Sequence, residues 1–215
     1  MSRTPASPAR RFFQSPLYGV VDPEQLKGRS PTHVFQALLQ GGVSVIQLRV
    51  KNLPAKNFLD LAREAREQTR AHNCFLVIND RVDIALAARA DGVHLGQEDL
   101  PFHAARKLMG TKLIGVSTHD LAQAQAAEQD GADYIGFGPI FRTKTKQTGY
   151  APRGVAMLQE IRRVVSLPIV AIGGITEANV AQVWQSGADA AAIISDLLHA
   201  EDITEKVKTI LSLRP

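Results

Sequence analysis

The sequence predicts an α/β protein, a single-domain (β/α)8 TIM barrel, and three observations support this prediction. Short β-branched or apolar runs alternate with amphipathic stretches of helical length through the 215 residues. No two predicted strands are close enough in sequence to form a hairpin, so the strands are expected to pair in parallel. Several helices end in glycine before the next strand, as in LLQGGVS and AEQDGAD, where a left-handed cap is expected.

Each predicted element is an apolar run or an amphipathic stretch bounded by turn residues. An open doubly wound sheet is the alternative, but it needs fewer strands and usually a glycine-rich first turn, which LYGVVDPEQL lacks. The predicted strands cover 17–21, 44–49, 75–79, 92–95, 113–117, 134–138, 169–173 and 190–194. The predicted helices cover 31–40, 55–72, 82–89, 101–109, 120–130, 153–165, 176–186 and 202–212.

The first 16 residues, MSRTPASPARRFFQSP, are expected to form a disordered leader before a catalytic barrel domain over 17–215. This segment holds three arginines and no acid, and without them 22 basic residues face 21 acidic ones. The rest of the chain is therefore nearly neutral, which argues against a nucleic-acid partner.

The composition also limits where the protein works. No run approaches the roughly 18 apolar residues that a membrane span requires. The lone cysteine, Cys74, cannot form an internal disulfide and is expected to be a packed core thiol. We therefore expect a cytoplasmic protein without a membrane partner, and the sequence is compatible with a homo-oligomer.

Polar residues alternate at the end of the second predicted strand, QLRVK. Gln47, Arg49 and Lys51 share one direction, whereas Leu48 and Val50 face the other. In an antiparallel protein this pattern would indicate an edge strand with solvated charges. In a barrel, where catalytic residues lie at the carboxyl ends of the strands, it favours a polar ligand.

Two acidic residues follow neighbouring strands. Asn79 and Asp80 end the third strand, and Asp99 follows the fourth. Magnesium takes oxygen ligands and commonly uses one or two carboxylates together with substrate phosphates, so the pair predicts a metal and diphosphate site. The alternative is that each aspartate only caps the helix that follows it.

Hydroxyl and amino groups follow the fifth and sixth strands. Ser117 ends the fifth strand, and Thr143, Thr145 and Lys146 lie in GPIFRTKTK, a set that suits phosphate oxygens. His119 could act as a general base, or it could make ordinary surface hydrogen bonds at a helix start.

The last two strands predict a second anion site. The seventh ends in Gly173 and Gly174, and the eighth ends at Ser195, where such barrels often bind phosphate through backbone N–H groups. Two anion sites at one mouth indicate two phosphorylated substrates. No Ser-His-Asp set and no Cys-His pair stands out in the sequence, so covalent catalysis is not suggested.

Together the motifs QLRVK, INDRVDIALAARADGVHLGQEDL, GVSTHD, GADYIGFGPIFRTKTK, AIGGI and AIIS resemble those of the thiamine phosphate synthase family, in order from about residue 17 to 212. The resemblance implies a (β/α)8 barrel that joins a hydroxymethylpyrimidine diphosphate to a thiazole phosphate. The products are thiamine phosphate and diphosphate, and Mg2+ is the implied cofactor.

The resemblance also implies the roles of individual residues. Mg2+ would lie on Asp80 and Asp99, and the catalytic residues would be Arg49, Lys51, Ser117 and Lys146. The pyrimidine diphosphate would lie against Gln47, Arg49, Lys51, Asn79, Ser117 and Lys146, and the thiazole phosphate on Thr143, Thr145, Gly174, Ile194 and Ser195; the intervening Leu48, Val50 and Lys144 are counted with the substrate-binding segments.

Two other functions remain open at this point. A thiazole tautomerase-like homologue would bind only the thiazole phosphate and use a histidine such as His119, but it would have no use for Arg49, Lys51 and Asp80. A phosphate-ligand sensor would bind both ligands without turnover.

Overall fold

The computed structural model describes residues 12–143 and 149–214, and these residues form a closed barrel of parallel strands. Neighbouring strands pair in sequence order, and the eighth pairs with the first through Tyr18 and Ala192. This confirms the predicted (β/α)8 fold. The strands are β1 (Leu17–Val21), β2 (Val45–Leu48), β3 (Phe75–Asn79), β4 (Gly92–Leu95), β5 (Leu113–Thr118), β6 (Tyr134–Phe137), β7 (Ile169–Ile172) and β8 (Ala190–Ile193).

Helices follow the strands in alternation, and most of their bounds lie within two residues of the prediction. Besides these helices, a 3-10 turn (Pro23–Gln25) follows β1. The helices are α1 (Pro31–Gly41), α2 (Ala55–Ala71), α3 (Val82–Ala87), α4 (Phe102–Met109), α5 (Leu121–Asp130), α6 (Gly154–Val164), α7 (Val180–Gln185), α8 (Ser195–Leu198) and α9 (Ile203–Ser212).

Helix α7 begins four residues later than the predicted start at 176. The side-chain oxygen of Asn179 accepts a hydrogen bond from the backbone N–H of Thr176 at 2.8 Å. This contact closes a local turn before the helix, since asparagine side chains compete with the helical ladder for nearby backbone donors.

The apolar residues form two layers, as the period of a barrel strand requires. One layer lies between the strands and the helices and includes Ile46, Leu48 and Leu76. The other fills the barrel interior and includes Val45 and Tyr134. The buried Cys74 belongs to the outer layer, and burial raises the pKa of its thiol to about 12, which confirms the predicted packed thiol.

An aromatic cluster closes the amino-terminal end of the barrel. Phe12 is fully buried, and its ring centroid lies 5.2 Å from those of Phe75 and Tyr134. The backbone N–H of Ser15 also donates to Ser44 Oγ at 3.0 Å. The predicted leader over 1–16 is therefore too long, because Phe12, Ser15 and Pro16 are buried in the barrel; the prediction for 1–11 lies outside the described residues.

None of the described helices is both long enough and apolar enough to cross a membrane.

Candidate active site

A cavity opens at the carboxyl ends of the strands, where the barrel fold predicts the site. Its deeper walls are apolar and include Val20, Val170, Ile172 and Ala192. Polar groups converge on it from most of the strands and the loops after them. They are Asp22, Gln47, Arg49, Asn79, His94, Ser117, His119, Thr143, Thr176 and Ser195.

The guanidinium of Arg49 is held at the cavity wall by a carboxylate. Its Nη1 forms an ion pair with Asp22, which directly follows β1 and whose side chain is 3% exposed. Asp22 also accepts a hydrogen bond from the backbone N–H of Glu24 at 3.1 Å. A buried carboxylate fixed in this way holds the planar guanidinium in one orientation, which suits binding of phosphate oxygens.

Lys51, Asp80 and Asp99 meet next to Arg49 and Asn79, which line the cavity, but none of the three is itself among the lining residues. The ammonium of Lys51 forms an ion pair with Asp80, and 40% of the Lys51 side chain is exposed. Partial burial, followed by the neighbouring Asp80, raises the pKa of the Asp99 carboxyl above its usual range. The two carboxylates therefore lie close enough to repel each other when both are ionised, and such a pair suits a divalent cation.

The backbone around this pair is constrained. Asp80 has a φ of 62°, in the left-handed region, and its N–H donates to the carbonyl of His94 at 2.8 Å. Asp99 accepts a hydrogen bond from the backbone N–H of Gly96 at 2.6 Å. Residues held in such sparsely populated conformations concentrate at functional sites.

The alternative that the two aspartates cap helices is wrong. The residue at the N-cap of α3 is Arg81, and that of α4 is Pro101. Neither helix has a side-chain hydrogen bond at its N-cap. Asp80 and Asp99 lie against each other instead, so helix capping does not explain the two aspartates.

The loops after β6 and β7 pack tightly around the opposite wall. Gly173 and Gly174 have φ values of 99° and 64°. A Cβ on Gly174 would lie 2.5 Å from the carbonyl oxygen of Arg142, so only glycine allows the two loops to approach. Gly174, Thr143 and Ser195, which the sequence analysis assigned to the second anion site, line the cavity.

His119 lies at the cavity wall with both its ring face and its Nδ1 engaged. Its Nδ1 donates to the carbonyl of Gly138 at 2.6 Å, which assigns the ring proton because a carbonyl can only accept. The ring stacks on Tyr150 at 3.9 Å, with 20° between the planes. These contacts fit the expectation of ordinary hydrogen bonding at a helix start, although the residue also borders the cavity.

The remaining residues that were predicted to bind substrate differ in where they lie. The side chains of Leu48 and Val50 are buried in the outer apolar layer, so only their backbones could contribute to a ligand site. Ile194 lines the cavity. Lys144, Thr145 and Lys146 lie outside the described residues.

The sequence reasoning missed five polar residues that line the cavity: Tyr18, Asp22, His94, Tyr134 and Thr176. The alternation that singled out Gln47 on β2 also holds on β4, where Gly92 and His94 share the inward face. That alternation could have found His94, but the prediction considered only the strand ends.

Comparison with known proteins decides the family. The model of the family described as thiamine monophosphate synthase matches residues 17–197, which include all the elements that build the cavity. The chain belongs to this family.

Curated relatives support the same assignment. Thiamine-phosphate synthase of Chloroflexus aurantiacus is 47% identical over 92% of this chain and 91% of its own length. The enzyme of the same name from Pelotomaculum thermopropionicum is 44% identical over 94% of this chain and 93% of its own length.

Solved structures agree with the barrel. The thiamine phosphate pyrophosphorylase from Pyrococcus furiosus superimposes with a TM-score of 0.85 at 34% identity, covering 95% of this chain and 96% of its own. A 3-hexulose-6-phosphate synthase superimposes with a TM-score of 0.67 at 17% identity, covering 93% of this chain and 100% of its own, and this likeness shows the fold alone.

Proposed function

We propose that this member of the thiamine monophosphate synthase family condenses 4-amino-2-methyl-5-(diphosphooxymethyl)pyrimidine with a thiazole phosphate, giving thiamine phosphate and diphosphate. One observation carries the proposal: Lys51, Asp80 and Asp99 meet next to Arg49 and Asn79, and these last two residues line the same cavity as Thr143, Gly174 and Ser195. Two phosphorylated substrates need two such anion sites around a shared cavity. The names of the curated relatives support the same reaction.

The chemistry that fits this arrangement is dissociative. The C–O bond between the pyrimidine methylene and the diphosphate breaks, and its electron pair leaves with the diphosphate. The electron-rich aminopyrimidine stabilises the resulting cation, and the thiazole nitrogen forms the new C–N bond with its lone pair. The chain must therefore neutralise the departing anion and hold the two rings in contact.

Different side chains are proposed for neutralising the anion and for holding the rings. Arg49, oriented by Asp22, and Lys51, paired with Asp80, are placed to neutralise negative charge as the diphosphate departs. Lys146 and Ser117 would add further donors to the same anion. The apolar walls around Val20 and Ile172 would hold the rings and exclude water from the cation.

Asp80 and Asp99 fit Mg2+, because their oxygens are the ligands that it prefers and the mutual repulsion of the pair favours a bound cation. When bound, Mg2+ would add positive charge against the departing diphosphate.

A coupled assay tests the function. The protein is incubated with both phosphorylated rings, and thiamine phosphate and diphosphate are measured with and without Mg2+. Equal formation of the two products, abolished by a chelator, is expected. Thiazole isomerisation without diphosphate release would indicate the tautomerase alternative, and binding without any product would indicate a sensor.

Replacement of Arg49 by methionine should lower kcat by about 10²- to 10³-fold, the range for the loss of one charged donor in a transition state. Because the change leaves the buried Asp22 carboxylate unpaired, the double variant Asp22→Asn with Arg49→Met should regain stability but not activity. Initial rates and thermal melting of both variants check this. Arg63→Met, at an exposed position on α2, is the matched control and should keep the native rate; an Arg49→Met variant with that rate would contradict the assigned role.

We also propose small-molecule substrates as the main ligands and the cytoplasm as the place of work. The single buried thiol of Cys74 and the nearly balanced charge outside the first 16 residues support these proposals.

A further inference from the structure

A chain of hydrogen bonds crosses the barrel interior at the cavity and joins residues of five strands. Gln47 Nε2 donates to the hydroxyl of Tyr18 at 3.0 Å, and this hydroxyl lies 2.9 Å from that of Tyr134. The Tyr134 hydroxyl lies 3.1 Å from His94 Nδ1, and His94 Nε2 lies 2.9 Å from Ser117 Oγ. We call these five residues the polar relay. Its two ends, Gln47 and Ser117, are residues that the sequence predicted to bind substrate.

The barrel interior is shaped around the polar relay. A Cβ on Gly115 would lie 2.1 Å from Tyr134 Cζ, and one on Gly136 would lie 2.9 Å from His94 Cε1. Inward-facing glycines on β5 and β6 therefore make the room that the two rings occupy. Tyr18 and Tyr134 are 2% and 1% exposed, and burial raises the pKa of both hydroxyls, so they keep their protons at neutral pH.

Counting protons gives the polar relay a direction. Since Gln47 donates to Tyr18, the Tyr18 proton can go to Tyr134, whose own proton then goes to His94 Nδ1. The neutral imidazole consequently carries its proton on Nε2 and donates it to Ser117. In the reverse direction the Tyr18 oxygen would accept from both neighbours, and its buried proton would have no acceptor among the described contacts of that hydroxyl.

The direction determines which groups the two ends present. The Gln47 Oε1 is left for the cavity as an acceptor, because Nε2 is engaged with Tyr18. Ser117 accepts from His94, so its own proton is available to a ligand as a donor. A flipped Gln47 amide would face Tyr18 with Oε1 and would be satisfied only if every hydrogen bond of the polar relay reversed, so the orientation of Gln47 is coupled to that of Ser117.

We propose that the polar relay is a specificity device: it fixes Gln47 as an acceptor and Ser117 as a donor, so that the cavity selects a pyrimidine with an exocyclic amino group over its oxo counterpart. This inference rests on the proposed function for the identity of the heterocycle. Tyr18, Tyr134 and His94 are positioning residues in this scheme. Tyr134 is the most informative of them, because it acts on Gln47 only through Tyr18.

The test measures binding rather than turnover, so that the reactivity of the ring does not enter. The monophosphate esters of the 4-amino and 4-oxo pyrimidine methanols are titrated calorimetrically into the full chain with Mg2+ present. In the native protein we expect the amino ester to bind about tenfold more tightly or better, which corresponds to one well-placed hydrogen bond. In Tyr134→Phe this preference should fall to about twofold, since the Tyr18 proton is then available to a flipped Gln47.

Phe13→Leu is the control for packing, because Phe13 contacts the Tyr134 ring edge-on, with 5.7 Å between the ring centroids, and takes part in none of the hydrogen bonds of the polar relay. Phe13→Leu should keep the native preference for the amino ester. Tyr18→Phe removes the hydroxyl that Gln47 contacts directly, so it should lose this preference. Tyr18→Phe also serves as the test variant if Tyr134→Phe does not fold. Equal affinities in the native protein, a native preference in both tyrosine variants, or an equal loss in Phe13→Leu would each overturn the proposal.

Failure of this inference can be distinguished from failure of the proposed function. Product formation by the native protein in the coupled assay tests the condensation, whereas the ratio of the two affinities tests the polar relay. A native protein that forms thiamine phosphate but binds both esters equally would refute the polar relay alone.

Discussion

Replacement of Asp80 by asparagine is expected to lower kcat by about a hundredfold or more and to raise the Mg2+ concentration needed for half-maximal rate. The change removes one of two carboxylates proposed to hold the ion, and it leaves Lys51 without its partner. Charge neutralisation at a leaving group commonly contributes an effect of this size. Initial rates of diphosphate release over a Mg2+ titration would measure both changes.

Asparagine is the informative substitution because the backbone of Asp80 is left-handed, with a φ of 62°. Asparagine tolerates this conformation, so the loop should keep its shape. Asp83→Asn is the matched control, since Asp83 lies three residues further along on α3, is 64% exposed and pairs with Arg81. If Asp80→Asn kept the native rate and the native Mg2+ dependence, the metal role of Asp80 would be wrong.

Replacement of Phe12 by alanine is expected to lower the free energy of unfolding by about 3–5 kcal/mol, the usual cost of truncating a buried phenylalanine. The ring is fully buried and packs on Tyr18, Phe75 and Tyr134, so its removal leaves a cavity at the amino-terminal end of the barrel. Urea unfolding followed by circular dichroism would measure the loss.

Gln14→Ala, at an exposed position two residues later, is the control and should change the free energy of unfolding by less than about 0.5 kcal/mol. A loss below about 1 kcal/mol for Phe12→Ala would mean that this segment contributes little to the stability of the barrel.

The periodicity of apolar residues in the sequence predicted most of the fold. The regular spacing of apolar runs predicted each strand to within a residue at either end, because parallel barrel strands are buried on both faces and stand out as short apolar stretches. The boundaries that failed depend on contacts that periodicity does not contain. The turn closed by Asn179 delays α7, and Phe12 is ordered by rings from distant strands.

The rim of the site was predictable for a similar reason. Arg49, Lys51, Asp80 and Asp99 lie within four residues of the ends of apolar strands, so the barrel topology alone indicates that they lie near one another. Residues deeper in the barrel were harder to find. Tyr134 is the first residue of β6, and an aromatic residue at that position is typical of a core. Its hydrogen bonds depend on partners in β1 and β4, which the sequence pattern does not show.

The assignment of Asp22 needed the three-dimensional structure. Its position after LYGVV resembles an ordinary strand end, and only the ion pair with Arg49 relates it to the site.

The aromatic rings around Phe12 close the amino-terminal end of the barrel, so in the described residues ligands reach the cavity from its carboxyl end. Substrates and products would then use the same entrance. Under the proposed function, a ring bound against Gln47 and the deep apolar walls would enter before the molecule that covers it and would leave after that molecule. The closed amino-terminal end of the barrel would thus set the order in which the two proposed substrates bind.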